Sequence, residues 1–157
     1  MPIPLQYDFN QLYVKILRFA SYKERCTRDV ELKLREWNVP KPMQEKLLKK
    51  LKMEGFIDDH RFACAFVRGK FSVNKWGRIR IIYELRARKL PESIITGALQ
   101  EIDEKSYQDT IRTLIIKKNG EINPEKIAHK REKIINFVVG KGFEPELVLR
   151  IIQEIIS

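Results

Sequence analysis

Cysteine and histidine are scarce in this 157-residue sequence, with two of each. Cys26 and Cys64 are widely separated, in patterns that otherwise read as helices or their edges, which predicts reduced thiols rather than a disulfide. His60 and His129 lack the spacing of a ligand pair, which argues against a zinc or catalytic-histidine site. The sequence has no phosphate-cradling glycine loop followed by Lys-Ser/Thr, no Ser or Cys nucleophile with a plausible base, and no carboxylate cluster for magnesium. The expectation is a protein that is not an enzyme and needs no cofactor or metal. No apolar run approaches the roughly 18 residues of a membrane span, and the N-terminus lacks a charged region followed by an apolar core. The expected location is the cytoplasm, without a membrane partner. Strand-type alternation does not survive beyond a few residues, which disfavours an α/β fold.

Acidic residues are also in the minority, 21 against 31 Lys and Arg, giving a net charge of +10. Such a field favours polyanions or an acidic protein surface and raises association rates in a salt-dependent way. The plainer reading is a solvated basic surface. With 43% hydrophobic and 33% charged residues, the chain reads as folded and soluble, and it is long enough to bury a core.

Apolar residues recur at helical spacing throughout. After an extended arm over residues 1–10, Leu12, Val14, Ile16, Leu17 and Ala20 predict a helix from Gln11 to about Ser21. Arg25-Cys26-Thr27 reads as a turn with a hydroxyl cap, and Val30, Leu34 and Trp37 form a second stripe that Asn38 stops. Pro40 and Pro42 suit the start of a third helix, whose Met43, Leu47, Leu48 and Leu51 lead to Gly55. Asp58 or Asp59 is then the N-cap of a helix carrying Phe62, Ala65 or Phe66, and Gly69.

The plan repeats. Leu34 and Leu85 stand 51 residues apart, and the same shift pairs Val30 with Ile81, Val39 with Leu90, Leu47 with Ala98, Leu48 with Leu99 and Leu51 with Ile102. A shift of 53 carries Ile81 to Ile134, Leu85 to Val138, Leu90 to Phe143, Leu99 to Ile152 and Ile102 to Ile155. The third unit is expected to have helices at about Ser106–Lys117, Pro124–Val139 and Pro145–Ile156, with Asn119-Gly120 and Gly140-Lys141-Gly142 as its breaks. The predicted fold is all-α, with three-helix units at 11–55, 56–104 and 105–157 in tandem.

Between Arg68 and Lys89 lie eight basic residues, Arg68, Lys70, Lys75, Arg78, Arg80, Arg86, Arg88 and Lys89, against the single acid Glu84. With Ile81 and Leu85 facing the core, a 100° step per residue puts Trp76, Arg80, Tyr83 and Ala87 outside and Arg78 and Arg88 nearer the seam. Glu84 can pair with Arg88. Lys75 and Arg80 beside Trp76 and Tyr83 make a cation-plus-aromatic face suited to phosphate, bases or an acidic protein groove. Trp76 also reads as a half-buried packing residue. Gly77 serves either a close approach or an unusual φ. A second basic zone, Lys117, Lys118, Lys126, Lys130, Arg131 and Lys133, is diluted by Glu121, Glu125 and Glu132.

The order Gly55-x-Ile57-Asp58-Asp59-x-Arg61-Phe62-Ala63, the pair Trp76-Gly77, then Arg80-Ile81-x-x-Glu84-Leu85 and a turn before Leu90 resembles the central signature of the RecX family of recombinase regulators. Arg25-Cys26-Thr27, Asp29-Val30 and Lys33-Leu34 fit the first unit, so the likeness runs from Tyr13 to Ile155. Two features depart from the family pattern: Lys89 stands where a glycine is common, and the third unit matches by helical pattern alone. The resemblance implies an elongated, curved array that binds the RecA recombinase filament in its groove and modulates, usually inhibits, its activities in DNA repair, recombination and the SOS response. It implies no catalysis. The expected partner is the filament, with DNA bound mainly non-specifically and the protein a monomer. The competing reading is a basic helix-turn-helix-like DNA-binding protein; Pro91 to Ile102, the third helix of the middle unit, carries no Arg or Lys, which counts against it.

Overall fold

The structure, a computed structural model, describes residues 8–123 and 129–156. Residues 1–7 of the expected arm, and the expected helix start at Pro124 together with Glu125 and Lys126, lie outside the described residues. Among the described residues there are nine α-helices and no strand: α1 (Phe9–Tyr22), α2 (Thr27–Glu36), α3 (Lys41–Met53), α4 (Asp59–Ser72), α5 (Arg78–Ala87), α6 (Glu92–Leu99), α7 (Glu104–Glu121), α8 (Lys130–Gly140) and α9 (Pro145–Ile155). The helices pack chiefly in consecutive triplets, α1 to α3, α4 to α6 and α7 to α9, as a tandem all-α array.

The repeat register has a physical basis. Val30, Ile81 and Ile134, and likewise Leu34, Leu85 and Val138, are fully buried on the middle helices of the three triplets. Each middle helix also ends in the same way. Asn38, Lys89 and Gly142 follow it with φ of 54°, 58° and 100°. That left-handed residue turns the chain and returns N–H groups to the last carbonyls: Asn38 N to Arg35 O at 2.9 Å, Lys89 N to Arg86 O at 2.9 Å and Gly142 N to Val139 O at 2.9 Å. The next residue, Val39, Leu90 or Phe143, is driven into the core. Lys89 thus makes its turn without a glycine's freedom.

Three local expectations change. Thr27 does not cap α2; the cap position is Cys26, and the Thr27 hydroxyl turns to Asp59 instead. The buried stripe of α4 is Phe62, Ala63, Cys64 and Val67, with Ala65, Phe66 and Gly69 only half-buried, because α4 packs against α6 as well as α5. Asn119-Gly120 does not break the chain, since α7 runs through to Glu121. A glycine inside a helix costs only about 1 kcal/mol relative to alanine, and Tyr107, Ile111, Leu114 and Ile115 bury enough of α7 to carry it past that point. The helix after it is described from Lys130.

The apolar interior falls into two clusters. Leu12, Ile16, Val30, Leu34, Leu47, Leu51 and Ile57 belong to a core confined to the first triplet and its exit, so Ile57 completes the first unit rather than opening the second. The second and third triplets share one core, in which Phe62, Val67, Ile81 and Leu85 meet Tyr107, Ile134 and Phe143, and Cys26 joins it from the start of α2.

Candidate interaction surface on the middle unit

The residues from Gly55 to Ala63 form a joint. Gly55, at φ 78°, ends α3 with a left-handed turn, and Phe56 N returns to Leu51 O at 2.9 Å. The two aspartates divide the work. Asp58 is the N-cap of α4, its carboxylate accepting from Arg61 N at 3.0 Å. Asp59 reaches back to α2, accepting from Thr27 N at 2.7 Å and from the Thr27 hydroxyl at 2.8 Å. Arg61 ties the same joint, with its Nε 2.9 Å from Glu24 and its Nη1 donating to Gly55 O at 2.9 Å. Phe62, Ala63 and Leu85 are buried, and Glu84 pairs with Arg88 at 3.2 Å. The motif residues hold the chain together.

Gly77 marks the other seam. Its φ is an ordinary −81°, so close approach is what requires a glycine here: a Cβ would lie 2.3 Å from the carbonyl of Gly142 and from Phe143 N. Gly77 N donates to Lys141 O at 2.8 Å and Ile79 N to Gly142 O at 3.0 Å, backbone against backbone. Arg78 lies in this seam. Its guanidinium stacks 3.8 Å from the centre of the Tyr107 ring and pairs with Glu144 at 2.9 Å and with Glu104. Tyr107 accepts from Arg78 N at 2.9 Å and donates to Glu144. Burial, reinforced by the neighbouring Glu144 carboxylate, pushes the Tyr107 pKa well up. Burial works against the Arg78 charge, but the hydrogen bonds it donates to Glu144 and Glu104 outweigh it and raise its pKa.

The basic run is therefore only partly free. Arg68 pairs with Glu101, Arg78 with Glu104 and Glu144, Arg86 with Glu92 and Arg88 with Glu84. Among the described residues, no carboxylate lies in ion-pair range of Lys70, Lys75, Arg80 or Lys89. Trp76 is half-buried, edge-on to Phe66 at 6.4 Å, with the Arg80 guanidinium 4.0 Å and the Lys70 ammonium 4.8 Å from its ring centre. It is a packing residue that also holds two cations in place. Tyr83 is 70% exposed on α5, with Arg80 beside it. In the second basic zone, Lys118 pairs with Glu121 and Arg131 donates to Ile156 O, so these two serve their own unit.

Residues 58–99 match the family model described as "RecX, second three-helix domain". The family is RecX. The regulatory protein RecX of Bacillus cytotoxicus is 26% identical over 148 residues, which cover 94% of this chain and 55% of that protein. That of Clostridium acetobutylicum is 26% identical over 155 residues, covering 94% and 71%. The crystal structure of RecX from Lactobacillus salivarius superposes with a TM-score of 0.84 at 25% identity, over 93% of this chain and 95% of that one. A further crystal structure of regulatory protein RecX gives 0.82 at 27% identity, over 92% and 73%. The chain spans about half the length of the Bacillus cytotoxicus and Oceanobacillus iheyensis relatives, 55% and 53%.

The RecX match covers the middle triplet, where the sequence signature is sharpest. Sequence reasoning did not single out Glu104, Tyr107 and Glu144, which fix Arg78, because they lie outside the basic run. Gly142 was visible only as part of a break. Cys26 and Cys64 are free and buried, and burial is the main cause pushing the Cys26 thiol up to about 11. No described helix is long and apolar enough to cross a membrane.

Proposed function

We propose that this chain is a regulatory protein that binds the RecA recombinase filament and modulates, usually inhibiting, its recombination and ATPase activities in DNA repair, acting by binding alone as a cytoplasmic monomer. The observation that carries this reading is the match of residues 58–99 to the RecX second three-helix domain, within a likeness that extends over more than nine-tenths of the chain. The physical picture supports it. A filament repeats by protomer, so linked helical units can each make a weak contact with successive copies, and the linkage multiplies affinity. Lys75, Arg80 and Lys89, with Tyr83 exposed beside them, supply the principal electrostatic contact of the middle unit, and DNA held in the filament adds to the attraction. Bridging protomers would oppose the motion that ATP turnover requires. A groove-reading repressor fits less well, because α6 (Glu92–Leu99) carries no Arg or Lys.

The test is DNA-dependent ATP hydrolysis and strand exchange by RecA, with and without the chain. The reading expects both to change in proportion to bound protein, with no turnover by the chain alone. Unchanged rates at saturating protein would overturn it.

A further inference from the structure

A cleft of about 360 Å³ opens between the first and middle triplets. One wall comes from the turn into α2, with Lys23, Glu24, Arg25 and Asp29; the other comes from α4 and the end of α5, with Phe62, Ala65, Phe66, Lys70 and Arg88. Three of its four cations, Arg25, Lys70 and Arg88, are held in place, and Lys23 is exposed at its edge. Arg25 donates through Nε to Phe19 O at 3.1 Å, and its guanidinium lies 3.8 Å from the centre of the Phe19 ring. Lys70 and Arg88 lie 5.5 and 4.8 Å from the centre of the Phe66 ring. The two acids are already engaged: Glu24 pairs with Arg61 at 2.9 Å, and Asp29 accepts from Cys26 N at 3.1 Å. Lys23, Arg25 and Lys70 thus face the opening without a carboxylate partner, while Arg88 shares Glu84.

The lining distinguishes between two kinds of polyanion. A continuous phosphodiester chain, charged at every step, would run past Glu24 and Asp29. A peptide avoids that cost, because its carboxylates can be spaced to meet the cations and to miss the two acids. We propose that this cleft binds an acidic peptide segment, its carboxylates meeting Lys23, Arg25 and Lys70. The site does not depend on the regulatory reading, since any protein bearing such a segment satisfies it. Because the cleft is walled by two triplets, the bound segment also bridges the first to the second.

The test is fluorescence anisotropy of the full chain with a short labelled peptide of Asp and Glu interrupted by Leu. Its Asn/Gln counterpart and an oligothymidylate of matching charge serve as comparisons. The acidic peptide binds and the amide peptide does not. Lys23→Glu with Lys70→Glu weakens peptide binding by about tenfold or more, and Lys23→Gln with Lys70→Gln weakens it by less, while Lys75→Glu with Arg80→Glu, outside the cleft, changes it by less than about threefold at physiological salt. Circular dichroism and melting confirm that the variants fold. Equal peptide affinity in parent and both cleft variants overturns the proposal. So does oligothymidylate binding that the cleft variants abolish while the peptide fails to bind.

Discussion

Lys89 holds φ at 58° where a side chain is disfavoured, because the turn after α5 needs a left-handed residue and the burial of Leu90 pulls the chain through it. A non-glycine residue there costs about 1–2 kcal/mol, and glycine would return part of that in extra freedom of the unfolded chain. Lys89→Gly is therefore expected to leave stability unchanged or raise it by up to about 1 kcal/mol, read as urea midpoint; a clear loss would contradict this account of the turn. Asp58 is the opposite case, a side chain whose whole structural contribution is one hydrogen bond at a helix start. Asp58→Ala should cost about 0.5–2 kcal/mol without abolishing partner binding, and an unchanged melting temperature would count against the cap. The two aspartates were legible in the sequence as a cap and an alternative. Their division between α4 and α2 was not, because Thr27 lies a whole helical unit upstream of Asp59.

The seam between α5 and the turn after α8 depends on two glycines. At Gly142, a Cβ would lie 2.4 Å from Arg80 Cβ and 2.8 Å from Arg80 N, and φ is 100°. Gly142→Ala should therefore destabilise the middle and third triplets together by more than about 2 kcal/mol, through both clash and backbone strain. A loss confined to the third triplet, read by hydrogen exchange, would contradict the shared core. Tyr107 reports on the same seam through pH. Its folded pKa is raised above the ordinary 10.0, so its contribution is full below pH 10 and is lost as pH climbs from there through the folded value. Tyr107→Phe should reduce the alkaline slope in the pH dependence of unfolding, leaving the part that Tyr13, Cys26 and Cys64 contribute; an identical slope in the variant would assign it elsewhere. The two glycines illustrate how far local pattern reaches: close approach was readable at Gly77 as one of two alternatives, but its partner, Gly142, lies 65 residues away and leaves no trace there.

At the scale of the molecule, the tandem order was readable because the 51- and 53-residue shifts reproduce the same buried rows, Val30 with Ile81 and Ile134, Leu34 with Leu85 and Val138. The pooling of the second and third cores was not, since it rests on Tyr107 and Phe143 meeting at 5.1 Å. Charge was the least legible property. The imbalance between Arg68 and Lys89 is steep in sequence, yet Glu92, Glu101, Glu104 and Glu144 neutralise part of it from outside that window. What remains places the proposed contact on Lys75, Arg80 and Lys89, around an α5 face that also shows Tyr83. The measurement that tests this most directly is inhibition of RecA ATP hydrolysis across a salt series by the parent and by Lys75→Glu with Arg80→Glu. Both side chains are exposed, so the variant should melt within about 0.5 kcal/mol of the parent. It should inhibit more weakly and lose affinity with salt along a shallower slope, because fewer ions are released per contact. Equal inhibition by the two proteins at every salt concentration would contradict the account and leave the basic run as a solvated face.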